Sequence, residues 1–178
     1  MPEIQLNGKT IATQTGTNEP VLKNNVVMES GFSIPSGVTF PAGHVIQVKS
    51  AVYSTQVSNN TGEYEDTGLT ASITPTSTSS KVLVLVSQNG CYIGGGASNN
   101  LGRIQLLRGA SVLAVIGNEI GEGQSSTIGL TSVSAMYLDS PNTISPTTYK
   151  TQFQGVNGYF TVQISSTVST IVLLEISG

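Results

Sequence analysis

Asp66–Ile93, DTGLTASITPTSTSSKVLVLVSQNGCYI, is the stretch that decides the fold. Leu69, Ala71 and Ile73 are apolar at alternate positions. In a pleated strand alternate side chains share a face, so these three point to a core while Thr70, Ser72 and Thr74 meet water. Val82 to Val86 is apolar without alternation. Such a run needs cover on both faces, as in the central strand of a sandwich or in a strand lying under a neighbouring subunit. Between the two runs Pro75 has no N–H for a ladder and Thr76 to Ser80 has nothing apolar to bury, which predicts a structural turn.

Working outward, 178 residues suffice for one domain with a sizeable core and a short appendage. Only 10% of residues are charged, against roughly 25% in ordinary globular chains. Neutral hydroxyls, amides and 20 glycines must therefore supply the polar surface, and the abundance of Thr, Val and Ile favours β structure throughout. A net charge of -3 with seven scattered Lys and Arg excludes a general nucleic-acid binder, which needs clustered cations. The one cysteine, Cys91, sits among small and apolar residues and reads as a buried hydrophobe, so no intrachain disulfide is expected. Met1 to Lys9 has neither the basic start nor the apolar run of a secretory signal, and no stretch approaches the ~18 apolar residues of a membrane span. The expectation is synthesis in a host cytoplasm, exposure by lysis and no membrane insertion.

Residues 1–43 read as an N-terminal attachment arm and short stem. Ile4, Leu6 and Ile11 alternate weakly before the turn-rich run TQTGTNEP, and Val21, Leu22 and Val27 follow. The short pulses containing Phe32, Ile34 and Phe40 are punctuated by Gly and Pro, with Ile34-Pro35-Ser36-Gly37 fitting a type I turn. Pulses this short have little core of their own, so they are expected to bury their apolar side chains against a particle or against sister chains. Residues 44–178 read as an antiparallel, jelly-roll-like β-sandwich of about eight strands, spaced one per 8 to 12 residues. Val45, Val48 and Val52 are expected to face inward, and RIQLLRGASVLAVI (103–116) to form a hairpin with its tip at Arg108-Gly109-Ala110-Ser111. Asn157-Gly158 signals another hairpin, and a change of phase between Leu130 and Val133 signals a bulge near Ser132. Asn89–Leu101 and Gly117–Thr127 read as outward polar loops, offering Tyr92, Asn99, Asn100, Glu119 and Glu122 to a ligand.

Catalytic chemistry finds little to stand on. His44 is the only histidine and there is no G-x-S-x-G elbow. Glu63, Glu65 and Asp66 lie together, as do Glu119 and Glu122, but glycoside hydrolysis needs a set separation of carboxylates and Ca²⁺ needs six to eight oxygens. A solvated surface is the simpler reading, and no cofactor or metal is implied. Asn59-Asn60-Thr61 matches the glycosylation acceptor pattern.

The run TGLTASITPTSTSSKVLVLVSQNG, the hairpin RIQLLRG, the segment LDSPNTISPTTYKTQFQ and the ending STIVLLEISG resemble a module at the C-terminal end of tail-fibre and other virion-surface proteins of tailed bacteriophages. The resemblance spans about Pro41 to Gly178. It implies a homotrimer on the outside of the particle, with phage capsid or tail proteins as partners and no active-site residue to carry over. Only a short arm precedes the sandwich, which suits a capsid decoration, or cement, protein as well as a fibre. Ile4 to Phe40, with Leu83, are then the expected attachment and oligomer contacts. The alternatives are an adhesin for host surface glycan and a small polysaccharide depolymerase.

Overall fold

The computed structural model describes residues 3–6, 9–13, 21–22, 42–94, 100–123 and 129–178. The chain divides into two compact units, Met1–Thr39 and Phe40–Gly178. In the first, β1 (Glu3–Leu6), β2 (Lys9–Thr13) and β3 (Val21–Leu22) pair antiparallel in that order, Ile4 opposite Ala12 and Ala12 opposite Leu22. These residues form a small three-stranded sheet where an extended arm was expected.

The second unit is an antiparallel β-sandwich built from β4 (Val45–Tyr53), β5 (Val57–Asn59), β6 (Glu65–Ile73), β7 (Lys81–Gly94), β8 (Asn100–Arg108), β9 (Ser111–Gly123), β10 (Gly129–Asp139), β11 (Thr147–Val156), β12 (Tyr159–Val162) and β13 (Ser169–Ile176). One sheet runs β4-β13-β7-β12-β5, with β10 on the other edge of β7; the second runs β6-β11-β8-β9. The long strand β7 thus centres its sheet, paired to β13 and β12 on one edge and to β10 on the other. β6 and β7 belong to different sheets, so the turn at Pro75–Ser80 carries the chain across the sandwich.

Ten strands occur among the described residues of this unit. The count exceeds the expected eight or so because β5 forms in text read as loop, and strands also run longer than expected through glycine-rich text: β7 runs on to Gly94, β8 starts at Asn100 and β9 reaches Gly123. Their glycines make room for rings. A Cβ at Gly102 would sit 2.7 Å from the Phe160 ring, and one at Gly94 would strike the Tyr159 ring. The segment read as the polar loop Gln56–Asp66 contains β5 and the start of β6.

The hairpin β8–β9 forms as expected, with Arg108 opposite Ser111 and Gly109 at φ +57. Asn157-Gly158 does not close a hairpin: β11 pairs with β6 and β8, whereas β12 pairs with β5 and β7. The left-handed backbone of Asn157 (φ +59) turns the chain from one sheet to the other, and Phe153 and Phe160 meet across the core at 5.9 Å between ring centroids. A two-residue turn specifies a sharp reversal, not which sheet the next strand joins. The bulge opposite Ser132 is present, with Thr131 facing Cys91 and Val133 facing Gln88, and the extra residue lies on β7 at Asn89-Gly90.

Two apolar clusters fill the sandwich. Leu69, Ile73, Val82, Val84, Leu106, Tyr149, Ile171 and Leu173 belong to the first, and Cys91, Ile93, Ile104, Phe153, Phe160 and Val162 to the second. Cys91 is fully buried, and that burial pushes its thiol up to about 12, against a weaker downward pull from a backbone hydrogen bond at Val133. A buried polar chain ties the two sheets together. The Thr67 and Thr151 hydroxyls are 2.6 Å apart, Thr151 donates to Gln88 Oε1 (3.0 Å) and Gln88 Nε2 donates to Ser169 Oγ (3.0 Å). Because an unpartnered buried amide is costly, this chain holds the two sheets in one register.

The turn at Pro75–Ser80 is fixed by Glu175. This buried β13 carboxylate accepts hydrogen bonds from the Thr76 backbone N–H (2.6 Å), the Thr76 hydroxyl (2.7 Å) and Gln47 Nε2 (2.7 Å). Burial pushes the carboxyl up, but the hydrogen bonds led by Gln47 and Thr76 outweigh it and hold the group below its ordinary 4.5. A lowered folded-state pKa gives stability that is present above the unfolded value and is lost as pH falls through the folded one. Glu175→Gln is therefore expected to cost about 2 kcal/mol at neutral pH and to flatten the acid limb of the stability curve. Denaturant titrations at neutral and acid pH check this, and parallel acid limbs in the two proteins would dismiss it.

Candidate functional site

The two outer faces of the sandwich differ in chemistry. On the β6-β11-β8-β9 sheet the outward positions of β6 and β11 are polar and hydrogen-bonded: Lys150 pairs with Asp66 (2.8 Å), Gln152 donates to Asp66 (2.8 Å) and Gln105 donates to Gln152 (2.9 Å), while Val112, 54% exposed opposite Leu107, and Val115, 57% exposed opposite Gln105, bring apolar side chains to the β9 edge. Burial pushes the Asp66 carboxyl up, but the Lys150 and Gln152 hydrogen bonds and the Lys150 charge hold it below its ordinary 3.8.

The outer face of the β4-β13-β7-β10 sheet is uncharged and largely apolar, its polar members being hydroxyls. The registers place Val48, Leu174, Leu83 and Leu138 side by side across the four strands, and Ser50, Val172, Leu85 and Met136 in the next row. A third row holds Val52, Thr170, Ser87 and Ser134. Val48 is 55% exposed, Val52 67%, Met136 79% and Leu138 52%, while Leu83, Leu85, Val172 and Leu174 are half-buried. No charged side chain stands in these three rows, and Lys81 lies at one corner beside Ile176.

The expectation that Val45, Val48 and Val52 face inward is overturned. Ala51 and Tyr53 pack on the core instead, and the three valines lie on the outer face. The outward set keeps its phase because β4 and β13 shift register near Glu175 and Ile176, which places Val45, not Ile46, opposite Ile176. The prediction for Val82 to Val86 holds on the inner side, where Val82, Val84 and Val86 are buried. Leu83, expected at an oligomer contact, lies at the centre of the outer face.

The other expected contacts are scattered. Ile4 and Leu6 lie in β1, Ile11 in β2, and Val21 and Leu22 in β3; Val27, Phe32, Ile34 and Phe40 lie outside the described residues. Among the expected outward ligand contacts, Asn100 is a correction. It is 3% exposed and donates to the Gly94 carbonyl (3.2 Å), because it starts β8 and packs against Gly158. Tyr92 is half-buried in β7, with its ring 5.9 Å from that of Tyr159, which is 37% exposed. Glu119 is exposed on β9 at φ +53, Glu122 also belongs to β9, and Asn99 lies outside the described residues. Asn60, Thr61, Asn157 and Tyr159 line a shallow open depression at this end of the sandwich.

The carboxylates do not assemble a catalytic pair. Asp66 is engaged by Lys150 and Gln152, and Glu65 accepts from the Thr61 hydroxyl (3.1 Å). Among the described residues no three of His, Cys, Asp and Glu are grouped to hold a metal. Asn59 of the acceptor pattern is buried and donates to the Glu63 (2.7 Å) and Phe153 (3.0 Å) carbonyls, so its amide is not presented for glycosylation. Among the described residues no helix is long and apolar enough to cross a membrane.

No protein-family model matches the chain, and no curated protein is similar to it in sequence. Solved structures of similar shape include the infectious bursal disease virus VP2 subviral particle, at 7% identity and TM-score 0.44, covering 83% of this chain and 37% of that one. The structure of the Gx strain of the same virus matches at 9% identity and TM-score 0.45, with 92% and 40% covered. T=1 particles derived from infectious bursal virus match at 8% identity and TM-score 0.40, with 93% and 44% covered. The chain spans less than half the length of these viral chains. At such TM-scores the similarity assigns this chain no role.

Proposed function

We propose that this chain is a structural, non-enzymatic protein of the outside of a bacteriophage virion, tail-fibre-like or a capsid decoration protein. It assembles as a homotrimer and is attached through residues 1–43. The observation that carries the reading is the contrast between the two outer faces: one carries charged, hydrogen-bonded side chains beside an apolar β9 edge, the other is four strands wide, holds no charge in its three rows and is mainly apolar in two of them. A subunit that works by being built into a larger structure needs such a face; an enzyme needs convergent polar groups in a cleft. The resemblance of residues 41–178 to phage virion-surface modules supplies the setting. Mass spectrometry of purified particles with copy-number quantification tests it. Tens of copies indicate a fibre and hundreds a shell protein, while absence from particles overturns the reading. Deleting residues 1–43 is expected to leave a folded sandwich that no longer joins particles.

A second reading, an adhesin for host glycan, is favoured by the Tyr92–Tyr159 ring pair beside the amide-lined depression, since aromatic faces stack on sugar rings. The rival depolymerase is separated by replacing Glu63, Glu65, Asp66, Glu119 and Glu122 with Gln or Asn. If sugar release from host envelope is measurable and vanishes in that variant, the chain is an enzyme.

A further inference from the structure

We infer that the outer face of β4, β13, β7 and β10 is the surface through which copies of this chain associate, and that its occupant is a second copy of the same chain. The inference rests on the reading of the chain as an assembling protein and adds the surface that does it. Size supports it first. Three rows ~6.8 Å apart, two residues at ~3.4 Å each, across four strands ~4.8 Å apart give a projected patch of about 400 Å². Accessible area exceeds projected area. The patch therefore falls within the range of the largest apolar patches of ordinary monomers, about 300–600 Å², which are often functional, and supplies about half of the roughly 800 Å² per partner of a standard interface.

Charge supports it next. Interface cores between identical subunits are depleted of charged residues, and this face has none in its three rows. Two copies can lie against each other here without like charges meeting. The opposite outer face could not do so as readily, since it carries Asp66, Lys150 and Arg103. A charged foreign partner would be selected by a charge pattern, which these rows do not display; their polar groups are the hydroxyls of Ser50, Ser87, Ser134 and Thr170. What they offer is a pleated, uncharged and largely apolar surface that three copies can bring together around a common axis, as the homotrimer requires.

The substitutions that test this must touch the face and not the core. Val84 points inward and is fully buried, so Val84→Asp would unfold the chain rather than separate copies. Met136, 79% exposed on β10, is the cleaner site, and Leu83 at the centre of the face is the stronger one. Sedimentation velocity and light scattering on the full chain at micromolar concentration should find an oligomer for the unaltered protein. Met136→Asp and Leu83→Asp should fall to the mass of one chain, 18.4 kDa, with Met136→Asp keeping its far-UV spectrum and melting temperature. Thr70→Asp, on the polar face, should leave the oligomer intact. The inference is overturned by an unaltered protein that is monomeric, or by a folded Met136→Asp variant that stays fully associated. A monomer that floats with neutral phosphatidylcholine vesicles would overturn it in favour of a lipid surface. A monomer found on virions would sink this inference and the homotrimer with it but leave the virion role standing; an oligomer of the expected behaviour that is absent from virions would keep this inference and sink the virion role.

Discussion

Phe160→Ala is expected to destabilise the sandwich by about 4 kcal/mol, the range for truncating a buried aromatic side chain. For a unit of this size that lowers the melting temperature by about 10 °C or more. Phe160 is fully buried on β12, where it faces Phe153 of the other sheet at 5.9 Å with the rings tilted by 58°. Its ring rests on the bare backbone of Gly102, so no neighbouring side chain on that side can swing in to refill the space. The cavity would persist, and its volume adds to the lost transfer energy. Tyr159, one residue earlier and 37% exposed, supplies the comparison: Tyr159→Ala should cost under about 1 kcal/mol. Thermal and denaturant melts of both variants check the pair. Equal, small shifts would mean that the second apolar cluster does not hold the two sheets together.

Residues that obey period-2 alternation were legible in the sequence, and those whose partners lie far along the chain were not. Leu69, Ala71 and Ile73, and likewise Tyr149, Thr151 and Phe153, face inward as their alternation requires, because a pleat forces that geometry whatever the partner strand. Which strand becomes the partner is set by long-range packing. Asn157-Gly158 accordingly looked like a hairpin and proved to be a crossing between sheets. The glycine-rich text around Gly94 and Gly102 looked like loop because sequence composition cannot reveal an aromatic ring lying on the backbone from Tyr159 or Phe160. The apolar face was half legible. Val82 to Val86 announced a strand with two apolar faces, and the ending IVLLEI announced another. That Val48 and Val52 join Leu83 and Leu174 on one outer surface depends on the register of β4 against β13 and of β13 against β7, which no local pattern encodes. A signal was nonetheless present: the sequence holds more apolar strand positions than a two-sheet core has inward places.

Arg108→Ala is expected to cost about 3 kcal/mol, because it strands a carboxylate inside the sandwich. Asp139, 6% exposed on β10, accepts both contacts of the Arg108 guanidinium, at 2.8 and 3.0 Å, and also the Tyr149 hydroxyl at 2.7 Å. Arg108 and Tyr149 stand on β8 and β11 of one sheet and Asp139 on the other, so the three groups tie the sheets at one edge. The Arg108 side chain is 32% exposed, so water partly replaces it and the cost falls at the low end of the range for breaking a buried pair. Tyr149→Phe separates the hydroxyl's share. Burial first, and the Asp139 hydrogen bond and charge next, raise the Tyr149 hydroxyl well above its ordinary 10.0. A raised folded-state pKa gives stability that is present below the unfolded value and is lost as pH rises above it. The unaltered protein should therefore lose stability progressively above pH 10, while Tyr149→Phe, weaker by about 1 kcal/mol at neutral pH, should show a flatter alkaline limb. Denaturant melts from neutral to alkaline pH read both variants. An Arg108→Ala protein as stable as the parent would show that Asp139 is solvated well enough to stand alone, and that the tie between the sheets at this edge comes from the apolar cluster around Tyr149.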